Sequence, residues 1–294
     1  MNIVLVSSEV HPFSKTGGLA DVASALPLAL AALGHTVTVV SPWYKSLARH
    51  PFPQFNLDAP RVVDQMGVGQ LEEGGVRWVF LSSPLFERDT YYGYWDDAYR
   101  FTQFCLAVPH ALEGLAIHPD VIHLNDWQTG LIAPLLRFGD VPDNQRRAKT
   151  VFTIHNLAYQ GRWGLRDVLG WTGLPADLIH PDGLEFYGDA NLLKAGVWYA
   201  DRVTTVSPRY AWEVTTPEGG FGLDGALRAR GVTGILNGID SSYWNPATDP
   251  YLETNYSTLE GKNAARLALC KSLELDPARP TLAMITRLSE QKGL

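Results

Sequence analysis

The sequence predicts a doubly wound α/β domain on a mainly parallel sheet, followed by the first piece of a second domain of the same kind. Three observations predict it. Short β-branched apolar runs recur along the chain, and they are near-continuous rather than alternating, as strands buried on both faces require. Helical stretches separate these runs. Hydrogen-bonding residues follow run after run at its carboxyl end, where ligands bind in open α/β sheets.

The strand-like runs are residues 2–6, 36–40, 77–81, 121–124, 150–154, 202–206, 232–236 and 282–285. The first helix is expected over 19–33, stopped by Gly34, with Pro27 expected to kink it. Further helices are expected over 99–112, 128–138 and 262–273. Residues 240–258 change texture, with Pro246, Pro250, Asn245 and Asn255 among several Ser and Thr, and read as an interdomain connection. The organisation is therefore a first domain over 1–240, a linker and helix over 241–280, and the first strand and loop of an incomplete domain over 281–294. A lone βα piece cannot bury its own faces.

Composition removes several function classes. A hydrophobic fraction of 46% with 19% charged residues supports a buried core. Net charge is -7 and Lys and Arg are scattered, which argues against a surface that tracks nucleic-acid phosphates. Cys105 and Cys270 lie far apart without metal-ligand spacing, so neither a disulfide framework nor a structural zinc site is expected. Residues 3–6 are too short an apolar run for a signal peptide, and no stretch reaches the ~20 apolar residues of a membrane span. A cytoplasmic location is the expectation, without a metal, cofactor or membrane partner.

Six loops carry the chemistry. Lys15-Thr16-Gly17-Gly18-Leu19-Ala20-Asp21-Val22 joins a cation to a flexible Gly-Gly entrance into an apolar helix, whose free N–H groups favour an anion such as a diphosphate. A structural Gly-Gly turn beside a solvated lysine fits the spacing equally well. Neither a P-loop nor a GxGxxG is present, since Gly67-Val68-Gly69 lacks the third glycine and follows no convincing strand. The other loops are Asn125-Asp126-Trp127-Gln128, His155-Asn156-Leu157-Ala158-Tyr159-Gln160-Gly161, Ser207-Pro208, Asn237-Gly238-Ile239-Asp240, and Arg287 with Lys292. His155 reads either as a core histidine at a strand end or as a site residue, and Asp126 either as a helix N-cap or as a site residue. Nine Trp and twelve Tyr exceed what the core requires, and Tyr94, Trp95 and Trp127 are the ones assigned to sugar faces rather than packing.

These motifs, in this order along the whole chain, resemble bacterial glycogen synthases and plant starch synthases. The Lys15 and His155 motifs are the specific ones; the rest are shared among related glycosyltransferases. The resemblance implies a GT-B fold of two Rossmann-like halves. It also implies transfer of glucose from ADP-glucose to the non-reducing end of an α-1,4-glucan, with retention and without a metal. Lys15, Gly17, Gly18 and Asn237 would then bind the donor. Asp126, Tyr94, Trp127 and Asp21 would face the acceptor. His155 would act near the anomeric centre, with Arg287 and Lys292 neutralising the diphosphate. The late second-domain acidic motif and adenosine pocket are not in this sequence, so the chain alone is expected to have little or no synthase activity. A transferase with another sugar nucleotide, or a non-catalytic glucan- or nucleotide-binding protein, are the alternatives.

Overall fold

The computed structural model describes residues 1–47, 54–57, 59–62, 66–286, 288 and 293. They form two compact units, Met1–Gly238 and Ile239–Leu294. The first unit contains β1 (Asn2–Val6), β2 (Thr36–Trp43), β3 (Gln54–Leu57), β4 (Met66–Glu73), β5 (Val76–Ser82), β6 (Val121–Asn125), β7 (Lys149–Ile154), β8 (Arg162–Gly164), β9 (Glu185–Phe186), β10 (Asp189–Asn191), β11 (Arg202–Thr205) and β12 (Thr233–Gly234). Its helices are α1 (Gly18–Ala32), α2 (Asp97–Gly114), α3 (Ile132–Phe138), α4 (Leu165–Thr172), α5 (Leu192–Tyr199), α6 (Pro208–Glu213) and α7 (Asp224–Arg230). The second unit holds α8 (Lys262–Ser272).

Nine strands make one sheet in the order β12-β11-β7-β6-β1-β2-β5-β4-β3. The run from β12 to β5 is parallel, while β4 and β3 add antiparallel pairs at one edge. Side-chain alternation feeds two cores. Val4 and Val6 of β1 join the larger cluster with α2, whereas Leu5 joins Val37, Val39 and Ala23 of α1 on the opposite face. Burial on both faces is why these strands read as continuous apolar runs. α2 is buried over most of its length, down to Arg100, and α1 continues through Pro27.

Several elements differ from the sequence expectation. Gly67-Val68-Gly69 lies inside β4; Gly69 leaves room for the Trp43 ring, since a Cβ there would sit 2.2 Å from its Cζ3. Glycine weakens the local strand signal, so the antiparallel edge was invisible. The helix expected over 128–138 is split into a tight turn at Trp127–Thr129 and α3, and between them Gly130 lies close against the backbone carbonyl of Leu192. β12 is only two residues long. No strand forms at 281–285, where Leu282 and Ile285 are almost fully exposed. A strand needs a neighbour to satisfy its N–H and C=O groups, and among the described residues none pairs with this segment. The small sheet β8-β10-β9 escaped notice because strands of two or three residues carry no periodicity.

The start of α6 shows how local chemistry fixes a loop at the sheet edge. Ser207 Oγ accepts the Tyr210 N–H at 3.0 Å, and Pro208 occupies the first helical position. Ser207→Ala is expected to cost about 1 kcal/mol, read as a lower denaturation midpoint; an unchanged midpoint would mean that the cap contributes nothing.

Candidate functional site

Because β1, β6, β7, β11 and β12 run parallel, their carboxyl ends share one edge of the sheet. The loops carrying Lys15, Asp126, His155 and Asn237 all leave from that edge. After β1 the chain is pinned by Glu9, which is buried. Its carboxylate accepts hydrogen bonds from the Thr16 N–H, from Thr16 Oγ1 at 2.7 Å and from the Tyr92 hydroxyl at 2.8 Å. The Tyr92 hydroxyl also meets Ser8 Oγ at 2.8 Å, and Tyr44 donates to the Ser8 carbonyl at 2.8 Å. Burial pushes both phenols well above their usual range, so they stay protonated donors.

This clamp sets the entrance of α1. Gly17 caps the helix in an extended conformation with no side-chain cap, and a Cβ at Gly17 or Gly18 would meet nothing within 4 Å. The first N–H groups of α1 therefore have no side-chain partner at the cap. Lys15 Nζ lies 2.6 Å from Asp21 Oδ1, with each side chain about one-third exposed (36% and 37%). An exposed pair of this kind is worth at most about 1 kcal/mol.

The β6 and β7 ends are locked together. Asp126 is buried and has φ +56°, a left-handed conformation that non-glycine residues avoid. Its side chain makes no N-cap bond. Instead Oδ1 accepts the N–H groups of His155 at 2.7 Å and Asn156 at 3.2 Å. The N-cap alternative thus gives way to a bond across the sheet edge. Burial raises the Asp126 pKa to about 7, with the Glu9 charge adding to it and the two N–H bonds opposing it. His155 is half-buried, and its Nε2 lies 2.9 Å from Asn125 Oδ1. Burial, helped by nearby His123, lowers its pKa to about 3, so the ring is neutral at physiological pH. His123 itself is held at about 4 by burial. After His155 the Leu157 N–H donates to the Tyr210 hydroxyl at 3.1 Å, and the Gln160 side-chain Oε1 accepts from Asn191 Nδ2 at 2.6 Å.

Other expected site residues divide. Tyr94 is braced rather than free: its hydroxyl accepts the Thr90 N–H at 3.1 Å and Arg88 lies 4.6 Å over its ring. Arg88 in turn forms a two-pronged pair with Asp96 at 2.6 Å. Trp127 is 8% exposed and packed edge-on against Phe101 with ring centroids 5.3 Å apart. Gly161 leaves the room that the indole occupies. Trp95 is the exposed aromatic of that group, at 81%. Asn237 is exposed beyond β12. Arg287 and Lys292 lie outside the described residues. Sequence reasoning missed Glu9, Tyr92, Asn125 and Tyr210 as site-forming groups. Asn125 and Glu9 stood in loops already singled out, but only their partners reveal their use.

The class that this architecture defines is a mainly parallel, doubly wound α/β fold of GT-B type, with its polar loops gathered on the carboxyl edge. A family model described as the starch synthase catalytic domain matches residues 2–229, and the chain belongs to that family. The chain is 45% identical over its whole length to a glycogen synthase of Deinococcus radiodurans, covering 65% of it. It is 42% identical to a glycogen synthase of Thermus thermophilus, covering 64% of it. A solved structure, the catalytic domain of starch synthase IV from Arabidopsis thaliana bound to ADP and acarbose, is similar with a TM-score of 0.84 and 34% identity. That similarity covers 95% of this chain and 60% of the plant chain. The chain thus spans about 65% of the length of the Deinococcus relative. No helix among the described residues is long and apolar enough to cross a membrane.

Proposed function

We propose that the chain is the front part of a retaining glucosyltransferase, transferring glucose from ADP-glucose to the non-reducing end of an α-1,4-glucan. The observation that carries this reading is the open, uncapped entrance of α1, with Lys15 beside it, on the sheet edge that also holds a neutral, fixed His155. A diphosphate suits the first feature: it brings anionic oxygens to a helix N-terminus and an ammonium. A neutral imidazole suits a sugar hydroxyl. In this reading Lys15, Gly17, Gly18 and Asn237 contact the donor, while Asp21, Asp126, Tyr94 and Trp127 lie on the acceptor side. Arg287 and Lys292 would neutralise the diphosphate. Negative charge grows on the departing phosphate as the sugar becomes oxocarbenium-like. Fixed cations there stabilise the transition state more than the ground state, which is what acceleration requires. Domain 1–240, linker and helix 241–280, and the start of a second domain at 281–294 remain the proposed organisation.

Calorimetry of the chain with ADP-glucose and maltooligosaccharide tests the reading. Binding of ADP-glucose is expected. Lys15→Gln should weaken it roughly ten- to a hundredfold, the worth of one hydrogen bond to a charged group. No binding of ADP-glucose, or no effect of Lys15→Gln, would remove the donor assignment. Glycogen co-sedimentation without any nucleotide-sugar binding would favour a glucan-binding role instead.

A further inference from the structure

Asn125 is the last residue of β6 and is buried. Its amide orientation is dictated on one side by two carbonyls. Nδ2 donates to the Val6 carbonyl at 3.0 Å and points to the His123 carbonyl at 3.4 Å. Reversing the amide would set an oxygen against two oxygens and leave buried groups unpaired. Oδ1 must therefore be the atom that faces His155 Nε2 at 2.9 Å. An amide oxygen only accepts, so the hydrogen in that bond belongs to Nε2. Asp126, the next residue, holds the backbone N–H of His155 at 2.7 Å. Two consecutive side chains thus fix one histidine, one through its ring and the other through its main chain.

We propose that Asn125 is a positioning residue that locks His155 as the neutral Nε2–H tautomer, leaving Nδ1 as a bare lone-pair acceptor. Among the described residues no hydrogen bond occupies Nδ1. A bare ring nitrogen accepts from a hydroxyl and repels a phosphate oxygen, so the lock selects the sugar end of a nucleotide sugar over its diphosphate. That use rests on the glucosyl-donor reading above; the tautomer does not. Without Asn125 the two neutral tautomers would interconvert more freely, and a larger share of the population would present a donor where an acceptor is needed.

The test is nitrogen NMR of the chain selectively labelled with ¹⁵N-histidine, with the His155 signals assigned by their loss in His155→Gln. At neutral pH the expected spectrum has Nε2 protonated and Nδ1 in the unprotonated range. An Nδ1–H tautomer, an even mixture or an imidazolium overturns the proposal. In Asn125→Ala, the ratio of Nε2–H to Nδ1–H should fall about tenfold, the fold-change of one net hydrogen bond; an unchanged ratio in the folded variant also overturns it. Should that variant fail to fold, the wild-type tautomer decides alone. Adding ADP-glucose separates the two readings: a locked Nε2–H ring in a chain that does not bind the nucleotide sugar keeps the positioning role and removes the donor.

Discussion

Gly161→Ala is expected to lower stability by roughly 2–5 kcal/mol. Gly161 has φ +62°, and a Cβ there would fall 2.2 Å from Trp127 Cε3. The left-handed backbone alone costs an alanine about 1–2 kcal/mol. Overpacking against a well-packed ring adds about 1–3 kcal/mol. The indole cannot retreat easily, since it is already packed against Phe101. The consequence reaches the site, because Gly161 O accepts the Leu192 N–H at 3.1 Å and so anchors the His155 loop to the start of α5. A denaturation midpoint within experimental error of the parent would show that the ring yields freely.

Asp126→Asn is expected to become progressively more stable than the parent as pH rises from about 4 to 7. The Asp126 pKa is about 7 in the folded chain against 3.8 as the ordinary value. Over that window the folded state holds a proton that the unfolded state has lost, so raising the pH favours unfolding. The full effect is on the order of 4 kcal/mol, reached above pH 7 and absent below pH 4. His155 and His123 act with the opposite sign. Their folded values of about 3 and 4 lie below the usual 6.5, so their contribution is present above pH 6.5 and lost as pH falls. Comparing variant with parent at each pH cancels the histidines and isolates the carboxyl. The substituted amide keeps an oxygen for the N–H groups of His155 and Asn156, so the fold is retained. A stability difference that stays constant between pH 4 and 7 would mean that Asp126 is not held as a buried acid.

Much of the frame was legible because it is written in local chemistry. Residues 2–6 form β1 as expected, and the runs near 36, 77, 121, 150 and 202 all became parallel strands of one sheet. The Gly-Gly entrance to α1 was likewise visible, since backbone freedom and a following apolar helix are properties of neighbouring residues. The packing of Trp127 was hidden for the complementary reason. Its identity suggests a sugar face, but its burial depends on Phe101 and on the missing side chain of Gly161. The run at 282–285 has the right residues for a strand and no partner strand among the described residues, which no inspection of that run could reveal.

By itself, then, the sequence determined the parallel α/β frame, the edge that carries the polar loops and the family to which they belong. These follow from side-chain branching, turn residues and motif order over short spans. Only the tertiary structure decided which groups meet. His155 is bound by residues 29 and 30 positions earlier, and Tyr92 reaches Glu9 across 83 positions. Hydrogen-bond partners at such separations are set by strand order and register, so the state of each titrating group had to await the fold.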